Sequence, residues 1–217
     1  MFRVWERWGA FLGAIGVALW VVAFAIDNNS PSAGDSDAKI HDWFASSSHR
    51  TREIVAFFIF AIGALCVISF YGALRERLAD AEDSPARISQ LAFGAGLLSV
   101  ALSIVGIALF VGPAFTADDV KPSNVAPDTF RVLNDTGYII WVSATMIGAI
   151  TVWATAAIAL RRRLLPRWFA WVSLLVGLAQ LFAVFFFPIL LFWVWILVTS
   201  VLLTWSRRVD TPPAAAT

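Results

Sequence analysis

Residues 168–206 read WFAWVSLLVGLAQLFAVFFFPILLFWVWILVTSVLLTWS, a run of 39 residues without one charge. As a single helix rising about 1.5 Å per residue, it would be a rod of nearly 60 Å, about twice the hydrocarbon thickness of a bilayer. A hairpin near Phe185-Phe186-Phe187-Pro188 folds it into two spans. Four other uncharged stretches precede it: Trp8–Ile26, Ile54–Leu74, Ile88–Ala117 and Thr136–Leu160. The third is expected to leave the membrane near Gly112-Pro113, because proline interrupts a helix. The expected fold is therefore all-α, an integral membrane bundle of six transmembrane helices in three hairpins. Its spans fall at about 8–26, 54–74, 90–112, 136–160, 168–186 and 188–206, in a single domain over 1–208, with a disordered tail at 209–217.

Composition agrees. The 217 residues are 59% hydrophobic and only 14% charged, where soluble domains carry about 25% charged residues. A water-soluble monomer is excluded, and so is a disordered chain. The net charge of +1 offers nucleic acid no basic surface. A lone cysteine, Cys66, excludes an intrachain disulfide and a cysteine-rich metal cluster.

Arginine and lysine set the orientation, since short cytoplasmic loops retain them. Six spans gather Arg3, Arg7, Arg75, Arg77, Arg87, Arg161, Arg162, Arg163, Arg167, Arg207 and Arg208 on one side, eleven of sixteen basic residues. Lys39, Arg50, Arg52, Lys121 and Arg131 face the other side. Arg167 and Arg207 share a side only if the 39-residue run crosses twice. Both termini are then cytoplasmic, and the expected location is the cytoplasmic membrane. Trp5, Trp8, Trp168, Trp171 and Trp205 fall at the cytoplasmic helix ends, as an interfacial belt requires. Ala23-Phe24-Ala25 resembles a signal cleavage site, but the apolar run before it is long and carries Gly9-x-x-x-Gly13, so it is read as a retained span.

Small residues recur at helical spacing inside the spans, which is how helices approach closely in lipid. Intramembrane polar candidates are Ser103, Ser143, Thr151 and Gln180, read first as helix-packing groups and second as the lining of a narrow path. No Asp, Glu, His, Lys or Arg lies in the middle of a span. Intramembrane charge usually marks an ion path or proton relay, so an ion-coupled transporter is disfavoured, and a retinal Schiff base has no lysine to form on.

The polar groups able to do chemistry gather at the outer span ends, with Asp27, Asp118 and Asp119 among them. His41, Asp42, His49, Glu53 and Asp135 form the candidate outer cluster. The two histidines lack metal-binding spacing, and no His-Glu-x-x-His occurs, so no metal site is expected. Glu53 and Asp135 are expected to pair with Arg50, Arg52 or Arg131. Asp135-Thr136-Gly137 copies the aspartic-protease tripeptide, but that chemistry needs a second carboxylate. The residues Ile40-His41-Asp42-Trp43-Phe44 suit one interfacial helical turn, and Ser46–Ser48 suits the start of the next helix.

Three stretches carry a family resemblance: His49-Arg50-Thr51-Arg52-Glu53; Phe70-Tyr71-Gly72-Ala73-Leu74-Arg75-Glu76-Arg77-Leu78; and Leu164-Leu165-Pro166-Arg167-Trp168-Phe169-Ala170-Trp171. Between Lys39 and Arg208 the chain resembles small actinobacterial polytopic membrane proteins of unknown function. The resemblance brings no catalytic residues that can be carried over, and no cofactor is expected. The leading reading is a non-enzymatic bundle in the lipid bilayer that acts by binding. It would serve a membrane-protein partner or its own homo-oligomer as an accessory subunit, or hold a lipid-like small molecule. The alternatives are a passive channel or uncoupled transporter, and an interfacial enzyme built on the outer His/Asp cluster.

Overall fold

In hydrocarbon no water satisfies a backbone amide, so an apolar run closes its hydrogen bonds within itself as a helix. The computed structural model describes residues 2–82, 85–120, 125–162 and 164–206, with the side chains of 2–7 and 206 outside that description. Lys121, Pro122, Arg163, Arg207, Arg208 and the tail 209–217 lie outside the described residues, as do the side chains of Arg3, Trp5 and Arg7. The described elements are α1 (Phe2–Ile26), α2 (Asp37–Ala45), α3 (Ser47–Glu82), α4 (Arg87–Asp119), α5 (Pro127–Arg162), α6 (Arg167–Gln180) and α7 (Phe187–Ser206). Five helices are long enough, and contain a stretch apolar enough, to cross a membrane: α3, α4 and α5, and α1 and α7 over Trp8–Ile26 and Phe187–Trp205. This is a multi-pass helical membrane protein.

The 39-residue run turns where its length required. A 3-10 turn, Ala183–Phe185, joins α6 to α7, and Phe186 takes a left-handed φ of 62° at the corner. Trp195 Nε1 donates to Ser173 Oγ at 2.9 Å, so the two arms run antiparallel about that corner. With 14 residues, α6 is about 21 Å long, shorter than the hydrocarbon core.

Helix α4 does not stop at Pro113 but continues to Asp119. An interior proline costs about 3 kcal/mol through a lost hydrogen bond and a clash. Here Val111, Ala114 and Ala117 bury against Ile40 and Phe44 of α2 and Phe130 of α5, and that packing outweighs the local break. Helix α5 likewise starts earlier than expected, with Pro127 at its first position, where the missing N–H is harmless. At the start of α4, Ala86 offers no side-chain cap; Glu82 supplies one, accepting from the Ile88 and Ser89 amides at 2.7 Å each.

The helices close a ring. α1 packs on α3, α3 on α4, α4 on α5, α5 on α6, α6 on α7, and α7 returns to α1. At that closure the Ser200 hydroxyl donates to the Ala10 carbonyl and accepts from the Ala14 amide, a pair that a helix normally bonds to each other. Rings from α1, α3, α5 and α7 fill the axis: Trp20 lies 5.1 Å from Phe60 and 5.4 Å from Trp193, and Phe24 lies 5.3 Å from Trp141. Helix α2 lies across one end, against α3, α4 and α5.

Two glycine pairs bring helix backbones together. A Cβ on Gly16 would sit 2.7 Å from the Gly63 carbonyl oxygen, and one on Gly106 would sit 2.8 Å from that of Gly137. Backbone faces backbone at both crossings. Gly94, in the same helix as Gly106, faces open space. Gly106→Ala should therefore cost about 1–3 kcal/mol by overpacking, whereas Gly94→Ala should be neutral or gain up to about 1 kcal/mol from helix propensity. Thermal unfolding of both variants in one detergent checks this, and equal effects would contradict the close crossing.

Candidate functional site

Two arginines pin the segment that covers the α2 end of the ring. Arg50, only 8% exposed, donates to the Phe44 and Ala45 carbonyls at 2.7 and 3.2 Å, closing the C-terminus of α2, and reaches Asp118 at 3.1 Å. A cation there also complements the negative end of the helix dipole. Arg131 holds the other side, donating to the Ala33 and Asp35 carbonyls at 3.1 and 3.0 Å and to Asp37 and Asp128 at 2.6 and 3.1 Å. The expected partners of these arginines, Glu53 and Asp135, are not the acids they bind.

Beneath that cover lies a cavity of about 440 Å³ between α1, α3, α4, α5 and the α6–α7 corner. Its walls are mostly apolar, with Phe24, Phe60, Phe110, Tyr138, Trp141 and Phe186 among them. Asp27, Asn28, Ser30, Glu53 and Asn134 supply its polar groups. A concave, largely apolar site with a few convergent polar groups is the usual form of a small-molecule pocket.

Glu53 is the most constrained of these. It is 6% exposed; Trp43 Nε1 donates to its Oε1, while Oε2 is buried with no hydrogen-bond partner. Trp43 in turn stacks on His49, with centroids 4.0 Å apart. Asp27 lies near enough for its charge to act on Glu53. Burial raises the Asp27 carboxyl above the ordinary carboxylate range, opposed by the Ser30 hydroxyl and by Arg52.

The candidate outer cluster is only partly gathered. Glu53 lines the cavity, and His49 meets it across Trp43. His41 and Asp42 are exposed on α2, opposite its buried face of Ile40, Trp43 and Phe44, and Asp135 is exposed on α5. Among the described residues no three His, Cys, Asp or Glu side chains come together to hold a metal. The intramembrane candidates are dispersed too. Ser103 and Ser143 donate to their own helix, at Ser99 and Ile139, while Thr151 donates to the Ala92 carbonyl of α4 at 2.8 Å. Gln180, expected to bond between helices, is fully buried with neither side-chain polar atom partnered. The outer cluster omitted Asp27, although both cavity carboxyls stand at the edge of an uncharged stretch, and that position was the available signal.

The sequence matches, over residues 30–207, the family described as "Domain of unknown function (DUF4386)". The chain belongs to the DUF4386 family. The matched stretch takes in α2 to α7, with Arg50, Glu53 and Arg131, while Phe24 and Asp27 precede it. Membership of DUF4386 agrees with the resemblance to proteins of unknown function. No curated protein and no solved structure matches the chain.

The raised carboxyl makes a pH prediction. A group whose folded pKa exceeds its unfolded value stabilises the fold fully below the unfolded value and loses that stability as pH rises through the folded one. Arg52 and Glu53 of α3 are the charged groups acting with Asp27. Asp27→Asn should melt level with wild type in acid and above it at higher pH. Thermal scans at about pH 3 and 8 bracket the unfolded carboxylate value near 3.9; a gap that does not widen with pH contradicts the burial of a charge.

Proposed function

We propose that this DUF4386 protein is a six-pass protein of the cytoplasmic membrane, both termini inside, that holds a lipid-like small molecule in the cavity beneath α2. The cavity itself carries this reading: about 440 Å³, aromatic on its walls and polar at one end. That volume falls within the roughly 300–1,000 Å³ typical of ligand pockets. Six passes are supported by the antiparallel α6–α7 hairpin, whose 39 residues contain no charge to hold either end in water. Trp8, Trp168, Trp171 and Trp205 are 59–65% exposed at the end away from α2, which suits an interfacial belt on the arginine-rich side.

Binding is favoured over conduction because Ser103, Ser143 and Thr151 all spend their hydroxyl protons on backbone carbonyls. It is favoured over catalysis because His41, Asp42 and Asp135 point away from the cavity that Glu53 lines.

Ala56 lines the cavity at 6% exposure, so Ala56→Trp fills it. Native mass spectrometry of protein extracted from its own membrane should show a small-molecule adduct on wild type. The adduct should be absent from Ala56→Trp protein that still elutes as one species and melts cooperatively. An adduct equal in both, or none on wild type, contradicts the reading.

A further inference from the structure

The chemistry at the polar end narrows the occupant. Asp27 and Glu53 both line the cavity, and among the described residues no lysine, arginine or histidine does. Arg52 is exposed and acts on Asp27 from outside. An anionic head placed there meets two acids. A neutral, non-donating head leaves Glu53 Oε2 buried without a partner, which costs the full desolvation of that oxygen. A cationic head supplies the missing partner, and the faces of aromatic rings attract cations as well. Phe24, Phe60, Phe110 and Trp141 then remain for an apolar tail.

The wall also has a low side. Tyr138 lies eleven residues into α5 from Pro127, about 16 Å along the axis. Its hydroxyl donates to the Val184 carbonyl at 2.9 Å, which places the α6–α7 corner that far below the start of α5. Phe186 lines the cavity there, and its neighbours Phe185 and Phe187 are 73% and 62% exposed. The cavity is therefore apolar at the end away from its two carboxyls, where an alkyl tail fits.

We infer that the occupant is an amphiphile with a cationic amine head, the ammonium group against Glu53 and Asp27 and the alkyl tail among the rings. The inference rests on the proposed binding function and specifies its ligand class. The test is a calorimetric titration of the full-length protein in maltoside micelles with tetradecylammonium, whose N–H groups can donate to the carboxyls. The reference probe has the same chain but an uncharged hydroxyl head. Wild type should bind the cation at least about tenfold more tightly, as a charge-assisted contact in a poorly hydrated site would give.

The variants separate the two claims. The double variant Asp27→Asn with Glu53→Gln keeps an acceptor for Trp43 and should bind both probes alike, and Ala56→Trp should bind neither. Equal affinity of wild type for the two probes, with both lost in Ala56→Trp, overturns the cationic head and leaves the cavity reading standing. A cation preference that survives the double variant overturns the assignment to these carboxyls. Binding of both probes that ignores Ala56→Trp overturns inference and cavity reading together.

Discussion

A polar group in hydrocarbon must find its partner in the protein, because no solvent is there to supply one. Most of this fold follows from that constraint. Backbone amides close into helices, and hydroxyls in the spans return to carbonyls one turn back, as Ser103, Thr155 and Thr199 do. Others bond across to a neighbour, as Thr151 does to Ala92 and Ser200 to Ala10 and Ala14. Where the constraint is left unmet, the exception is informative. Gln180 is sealed in the core, but Glu53 Oε2 belongs to a side chain that lines a cavity, where an occupant can complete it.

The ring and its cover are held by different means. Glycine crossings at Gly16–Gly63 and Gly106–Gly137 bring α1 to α3 and α4 to α5 at backbone distance, which lets weak dispersion forces add up along each pair. The cover depends on charge. Arg131 binds carbonyls nearly a hundred residues away and Arg50 the nearby carbonyls that end α2 as well as the distant Asp118, so the segment from Ala33 to Ala45 is tied at both ends. An arginine fork fits this task, with several donors fixed in one plane. Between the ties, the buried face of Ile40, Trp43 and Phe44 brings the indole N–H down to Glu53.

Much of the fold was legible because its signals are local. Uncharged length marked the helices, and the excess length of residues 168–206 required the corner that Phe186 makes. Helix ends were less legible: α4 runs through Pro113 because α2 and α5 cover that face, and nothing near Pro113 in sequence reveals it. Ion pairs were misassigned for the same reason. Arg50 chooses Asp118 and Arg131 chooses Asp37, partners that adjacency in sequence cannot suggest. At the site, Asp27 and Asp135 both border uncharged stretches, and only helix phase turns one inward and leaves the other exposed. The outward position of His41 and Asp42 was readable, since the apolar spacing of Ile40, Trp43 and Phe44 marks the opposite face of α2.

Photocrosslinking within the protein's own membrane tests occupancy of the cavity most directly. Benzoylphenylalanine would replace Phe110, on the cavity wall, and in a separate variant Leu175, which is 68% exposed on the outer surface. Mass analysis after irradiation should give one defined small-molecule adduct at Phe110 and a mixture of bulk lipids at Leu175. The same lipid mixture at both positions, or a crosslinked protein at Phe110, would contradict the account.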